Sequence, residues 1–338
     1  MKIAVIGAGY WGPNLMRNLF ELGVLTHVCD KNKGALAKVR KLPQCYGVDL
    51  VQDANILMTT KSLDALVIAT PPDTHYTLVK QALLVGKHVF VEKPLTLNSV
   101  EAEELVDLAD KKGLVLMVGH TFLYSPDILV LKDMITNSEF GDVYYMYGRR
   151  LNLGKIQSPA NVVQDLAPHD ISIFQYLLDK KCLGVQAYGG SYILGDVEEV
   201  TFINFMYEDN VIVNLHLSWI DPLKIRELVI VGSKQMIKCD SLNKRIYLYN
   251  KGVDIDKRSL KSKGSYAEHL LNYRYGDEII PYIESYEPLK AEMEDFIACV
   301  ENPKAFTPRS DGVLGLEVVR ILEAIQKSLR RNGKWILF

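Results

Sequence analysis

The chain has 338 residues, long for a single hydrophobic core, which points to two domains. A formal net charge of −2, with 48% hydrophobic and 24% charged residues, is an ordinary globular balance and argues against a general nucleic-acid or membrane binder. Five cysteines, an odd number without CxxC spacing, argue against a disulfide framework or a zinc site and fit reduced thiols in the cytoplasm.

In chain order, Lys2 to Ile6 is a compact apolar run of β type, followed by helical spacing over Asn14 to Leu22. That apolar run is too short for a signal peptide, and no stretch approaches the roughly 20 apolar residues of a membrane helix. Val24 to Asp30, Ala65 to Ala69, Lys87 to Val91 and Leu114 to Val118 read as further strands. Lys33 to Lys41, Thr74 to Leu84 and Ser99 to Lys112 read as the helices between them. Strands alternating with helices predict βαβ units and a parallel sheet covered on both faces. After about residue 120 the pattern changes. A helix is predicted over Pro126 to Asn137, a strand over Val143 to Leu151 and a helix over His169 to Leu178. Long β-type runs then extend to Tyr249, separated by turn-like EDN, GSK and SLNK, as in an antiparallel sheet. The polar, basic segment Lys251 to Tyr275 reads as a loop, and Lys290 to Glu301 and Gly312 to Arg330 as helices. The expected architecture is an α/β Rossmann domain, 1–121, plus an α+β domain, 122–338, with a large, mostly antiparallel open-faced sheet. The C-terminal helices have the option of packing back on the first domain.

Four motifs carry chemistry. Gly7-Ala8-Gly9-Tyr10-Trp11-Gly12 follows a strand and opens a helix. Gly7 allows the tight turn, Gly9 a close approach to a pyrophosphate and Gly12 close helix–strand packing. Asp30, at the end of the second strand, suits the adenosine ribose hydroxyls and repels a 2′-phosphate, which favours NAD over NADP. Ala69-Thr70-Pro71-Pro72-Asp73-Thr74-His75 lies at the carboxyl end of a parallel strand, where such sheets bind ligands; Asp73 or Thr74 equally suits a helix cap. Val91-Glu92-Lys93-Pro94 ends the next strand, with a rigid turn in which the peptide before Pro94 is a candidate cis bond. Lys93 is either a proton shuttle beside a nicotinamide or half of a strand-end salt bridge. In Asp165-Leu166-Ala167-Pro168-His169-Asp170 the spacing places Asp165 in a loop and His169 in the first helical turn. The pair reads as an oriented acid–base group or as a helix cap beside an ordinary histidine. No Cys/His spacing suits a metal.

These four motifs, in this order, resemble the Gfo/Idh/MocA oxidoreductase family over nearly the whole chain. The resemblance implies an NAD-binding Rossmann domain, a second domain whose open sheet face forms homodimers or homotetramers, and a nicotinamide in the crevice between the domains. It implies that Lys93 transfers a proton and orients substrate, that His169 is the general acid/base, and that Asp165 is its partner or a substrate ligand. Thr70, Pro71, His75 and Glu92 would border the cofactor, with Tyr10 and Trp11 of the glycine loop.

Gly9 to Leu15, Gly119-His120-Thr121-Phe122 and Arg150 to Gly154 look like the family's nucleotide-sugar branch. That branch includes UDP-N-acetylglucosaminuronate 3-dehydrogenases and 3-ketosugar reductases, which move a hydride at the sugar C3. Gln164 stands where that branch often has Trp beside cofactor or substrate. Arg150, Asn152 and Lys155 are candidate ligands for a substrate diphosphate or carboxylate, or else, with Arg149, a solvated strand end. The family also contains inositol and free-sugar dehydrogenases, NAD-dependent glycosidases and a non-catalytic NAD-sensing regulator. Lys93 together with His169 favours an enzyme.

Overall fold

The computed structural model describes residues 1–154, 156, 160–255 and 271–338. They divide into two units, one of residues 1–125 with 287–323 and one of 126–286 with 324–338. The sequence boundary at 121/122 thus moves to 125/126, and the segment 287–323 belongs with the first unit.

In the first unit, β1 (Ile3–Ile6), α1 (Gly12–Glu21), β2 (Leu25–Cys29), α2 (Lys33–Val39), β3 (Asp49–Val51), α3 (Ala54–Thr59), β4 (Ala65–Ile68), α4 (His75–Leu84), β5 (His88–Glu92), α5 (Ser99–Lys112) and β6 (Leu116–Gly119) follow in order. The sheet is parallel throughout, ordered β3-β2-β1-β4-β5-β6. The chain reverses direction across the sheet between β1 and β4, where such sheets open a ligand crevice beyond their strand ends. The strands β1, β4 and β6 are buried at every residue, because helices cover both faces. Terminal chemistry sets the helix ends. Asn98 caps α5 by accepting from the Glu101 amide, Lys111 and Lys112 sit in its last turn, and Gly113 ends it at φ 63°.

The second unit contains α6 (Pro126–Thr136), β7 (Val143–Leu153), α7 (Val162–Leu178), β8 (Cys182–Gly190), β9 (Val200–Tyr207), β10 (Ile212–Ser218), β11 (Ile220–Gly232), β12 (Met236–Asp240), β13 (Arg245–Ile255) and β14 (Leu271–Ile279). The helices α8 (Pro288–Glu301) and α9 (Gly312–Leu329) follow, then β15 (Ile336–Leu337). The division between the units falls within α9. The second sheet runs β14-β13-β12-β11-β7-β10-β9-β8-β15 and is antiparallel except for the pair β7 and β10. On β9 the side chains of Ile203, Phe205 and Tyr207 are buried, and Phe174 of α7 meets Phe205 edge-on at 5.8 Å. The opposite face leaves Tyr145, Tyr188, Phe202 and Ile212 exposed.

Two local readings change. The helix predicted from His169 begins at Val162. Asn161 caps it by accepting from the Gln164 amide, and the Gln164 side chain accepts from the Asn161 amide in return. Pro168 therefore sits inside the helix and does not open it. The loop predicted over Lys251 to Tyr275 is strand at both ends, in β13 and β14, and its middle lies outside the described residues. Alternating tyrosines and charges there pair across the ladder without a buried face to mark them.

Candidate active site

The glycine motif makes a turn that other residues would not fit. Gly7 has φ +107°, and a Cβ on it would lie 2.4 Å from the Ala69 carbonyl oxygen. A Cβ on Gly12 would lie 2.2 Å from the Gly7 carbonyl oxygen, so the loop closes on the start of α1. At Gly9 a Cβ would meet nothing within 4 Å. That open side faces a cavity of about 610 Å³ lined by Gly7, Gly9, Asp30, Thr70, Pro71 and Thr74 among others. The first turn of α1 has no side-chain cap and no acidic residue; Pro13 has no N–H and the Asn14 amide donates to the Trp11 carbonyl at 2.9 Å, which leaves the Gly12 amide at the helix start for an anion.

Asp30 stands at the end of β2. Its Oδ2 accepts from the Ala8 amide at 2.7 Å and its Oδ1 from the Asn32 amide at 2.8 Å. The carboxylate is thus fixed against the glycine loop, with lone pairs left for a ribose. Thr70 and Thr74 share a hydroxyl hydrogen bond of 2.6 Å, and the Thr74 hydroxyl donates to the Pro71 carbonyl at 2.7 Å. Cys29 also lines the cavity, and burial pushes its thiol up to about 11, which keeps it from acting as a thiolate. Size, a phosphate-accepting helix start and a carboxylate at the far strand end together suit a dinucleotide.

The other expected cofactor ligands are placed differently. His75 is fully buried and lines no part of the cavity. Its ring nitrogens lie 2.8 Å from the Pro94 carbonyl oxygen and 2.9 Å from that of Thr70, tying together the loops after β4 and β5. Burial pulls its pKa down. Glu92 turns away toward Gly119 and lines no part of the cavity. Tyr10 is 96% exposed, and neither it nor Trp11 lines the cavity. Gln164 is occupied in the helix cap, a task an indole cannot perform. The Lys93–Pro94 peptide is cis.

In the second unit the DxxxH motif lies on one helix. Asp165 and His169 are four residues apart in α7 and so share a face. Asp165 is in the first turn, not in a loop, and its Oδ2 accepts from the Trp219 indole at 3.0 Å. Trp219, almost fully buried beyond the end of β10, is a positioning residue that the motif does not reveal. Arg150 is buried. Its Nε and Nη2 donate to the two oxygens of Asp170 at 2.5 and 3.0 Å, so this edge of the guanidinium is engaged within the second unit. Arg149 faces the other way and donates to Glu227. Asn152 is half-buried near the end of β7, and Lys155 lies outside the described residues.

Among the described residues no group of acidic, histidine and cysteine side chains is arranged to hold a metal, and all five cysteines are buried and outside any disulfide. No helix among them is long and apolar enough to cross a membrane.

Two family models match the chain: an oxidoreductase family model with an NAD-binding Rossmann fold over residues 1–120, and a GFO/IDH/MocA C-terminal domain over 128–238. A UDP-N-acetylglucosamine 3-dehydrogenase of Acidithiobacillus ferrooxidans is 28% identical over 75% of this chain and 78% of its own length. The solved structure of that organism's UDP-N-acetylglucosamine 3-dehydrogenase GnnA superposes with a TM-score of 0.82 at 23% identity, covering 98% of both chains. The WlbA dehydrogenase of Bordetella pertussis, solved with NADH and UDP-GlcNAcA, gives a TM-score of 0.77 at 17% identity over 100% of this chain and 98% of its own.

Proposed function

The chain belongs to the GFO/IDH/MocA oxidoreductases and is an NAD-dependent enzyme acting on CH–OH groups, and on that premise we propose that its substrate is a nucleotide-linked sugar, oxidised or reduced at C3. The observation that carries this reading is Asp165 and His169 on one face of α7, with Asp165 held by Trp219, in a chain whose other unit bears a dinucleotide cavity. UDP-N-acetylglucosamine is the substrate named for the relative from Acidithiobacillus ferrooxidans, which spans most of both chains.

When bound, NAD⁺ accepts the hydride. Gly7, Gly9 and the start of α1 would hold its pyrophosphate and Asp30 its ribose. Lys93 and His169 are the two groups able to handle the sugar hydroxyl proton, and Asp165 orients His169 or the sugar. The buried cysteines suit a cytoplasmic enzyme, and the exposed aromatic face of the second sheet suits a homodimer or homotetramer.

The test is NADH formation across a panel of UDP- and dTDP-sugars. Activity with at least one of them, lost in Lys93→Ala and in His169→Ala, is the expected result. Full activity in both variants would overturn the assignment.

A further inference from the structure

Beyond the carboxyl ends of β5 and β6, the first unit buries two carboxyl groups beside a lysine. The Glu92 carboxylate lies over Gly119. A Cβ there would be 2.9 Å from Oε2 and 3.1 Å from Oε1, so the glycine leaves it room. Oε2 accepts from the Lys93 amide at 3.3 Å. Oε1 is shut off from solvent and has no hydrogen-bond partner among the described residues. Glu292, on α8, is completely buried. Its Oε2 accepts from the Thr121 hydroxyl at 2.7 Å, and its Oε1 has no partner among the described residues. His120, 1% exposed at the end of β6, has neither ring nitrogen hydrogen-bonded among them.

The charges around this cluster are unequal. Glu92 acts electrostatically on Glu292, and Lys93 acts on Glu92 and His120. Asp295, one turn along α8, adds a second negative influence on Glu292. It accepts from the Tyr124 hydroxyl and the Arg309 amide, while the Arg309 guanidinium lies over the Tyr124 ring. On the α1 side, Arg17 is paired with Glu287. Lys93 is thus the cation that acts on Glu92, and two neighbouring carboxylates shielded from water do not both ionise. Burial pushes Glu292 well above the carboxylate range and Glu92 up to about 7, and pulls His120 down to about 3, so that the imidazole stays neutral.

We propose that Glu92 and Glu292 share a single negative charge at neutral pH, with the proton on Glu292, and that this pair holds Lys93 as an ammonium group. Resting on the sugar-oxidising reading, this divides the labour at the reacting hydroxyl. Lys93 keeps its proton and donates to the sugar oxygen. The hydroxyl proton therefore has to leave to a base other than Lys93. Glu92 and Glu292 touch neither sugar nor cofactor in this scheme. They are positioning residues acting through Lys93.

The first measurement is the infrared spectrum of the protein without NAD or sugar at pH 8, where exposed glutamates and Glu92 are ionised. The expected spectrum contains the carbonyl stretch of a protonated carboxylic acid. That band disappears in Glu292→Gln and persists in Glu92→Gln. If Glu292→Gln does not fold, Thr121→Val, which removes the hydrogen bond to Oε2, is expected to shift the band. A band unmoved by whichever of the two variants folds would overturn the proposal. The second measurement is the pH profile of kcat/KM. Glu92→Gln is expected to lower the alkaline limb by about one unit, a tenfold easier loss of the lysine proton, and Glu92→Asp to restore part of it. An unmoved limb would refute the effect on Lys93. Because the infrared band needs no turnover, a protein that shows it but oxidises no sugar would fail the substrate reading alone.

Discussion

Alanine at Gly9 separates the fold of the glycine loop from its ligand. A Cβ at Gly9 meets nothing within 4 Å, whereas at Gly12 it would stand 2.2 Å from a backbone oxygen. Gly9→Ala is therefore expected to change the stability of the unliganded protein by no more than about 0.5 kcal/mol. Its methyl occupies the space through which a pyrophosphate approaches the loop. Loss of one charge-assisted hydrogen bond there costs about 1.5–3 kcal/mol, roughly ten- to hundredfold in Kd. NAD at a hundred times its Kd stabilises the wild type by about 2.7 kcal/mol, against about 0.4 kcal/mol for a variant a hundredfold weaker. At about 2–4 °C per kcal/mol for a domain of this size, NAD raises the wild-type Tm by roughly 5–11 °C, and that of a variant ten- to hundredfold weaker, stabilised by about 1.4 to 0.4 kcal/mol, by roughly 1–6 °C. Scanning fluorimetry with and without NAD reads both quantities. A wild-type shift in Gly9→Ala would refute the placement of the pyrophosphate. A Tm already lowered by several degrees without NAD would refute the packing argument. Gly12→Ala is the contrast, expected to lose about 1–3 kcal/mol before any ligand is added.

Asp30→Asn removes the charge that repels a 2′-phosphate, and the NAD-to-NADP preference measured by titration should fall at least about tenfold; an unchanged ratio would remove Asp30 from the ribose site. Arg150→Met leaves Asp170 without its bidentate partner in a buried setting and should cost about 3 kcal/mol in urea unfolding. A fully stable variant with only a raised KM would instead return Arg150 to the substrate. Trp219→Phe deletes the indole donor to Asp165 while keeping most of the ring, so kcat should drop about tenfold with NAD affinity unchanged; wild-type kcat would show that Asp165 needs no such anchor. Burial raises Glu92 to about 7 and Glu292 well above the usual carboxylate range, so the folded state binds more protons than the unfolded one from about pH 4.5 upward. Stability should therefore fall as pH rises through about 4.5–7 and go on falling less steeply above 7, where Glu292 still keeps its proton, and Glu92→Gln should lessen only the slope below 7 in urea midpoints taken at pH 5, 7 and 8.

The parallel half of the molecule is legible because its signals are local. Apolar runs end in glycines, and Asp30 closes the second strand. The second unit is read correctly as a large, mostly antiparallel sheet, yet α7 is misplaced at its start. Ala167-Pro168 looks like a helix opening, and only the reciprocal Asn161–Gln164 bonds show that the helix is already under way. The same bonds give Gln164 a structural task that its departure from the branch's tryptophan could not announce. Arg150 looks like a substrate ligand until the fold sets it against Asp170, two residues that no periodicity connects. Trp219 and Glu292 escape sequence reading for the same reason. Each matters through a partner, Asp165 or Glu92, brought close only by tertiary folding.

The first unit is assembled from two separated stretches of chain, and that imposes an order in time. The last strand of its sheet, β6, is completed by the late segment. Met117 bridges to Asp311, a Cβ on Gly315 would press on Val118, and Thr121 and Tyr124 bond Glu292 and Asp295. At about 5–20 residues per second, a ribosome needs on the order of tens of seconds after β6 emerges to deliver α8 and α9. During that interval all six strands of the first sheet are already made but 287–323 are missing, and residues 126–286 of the second unit are synthesised first. A chain cut short by a premature stop codon before α8 would therefore carry every residue that lines the dinucleotide cavity but lack the helices that complete its first unit.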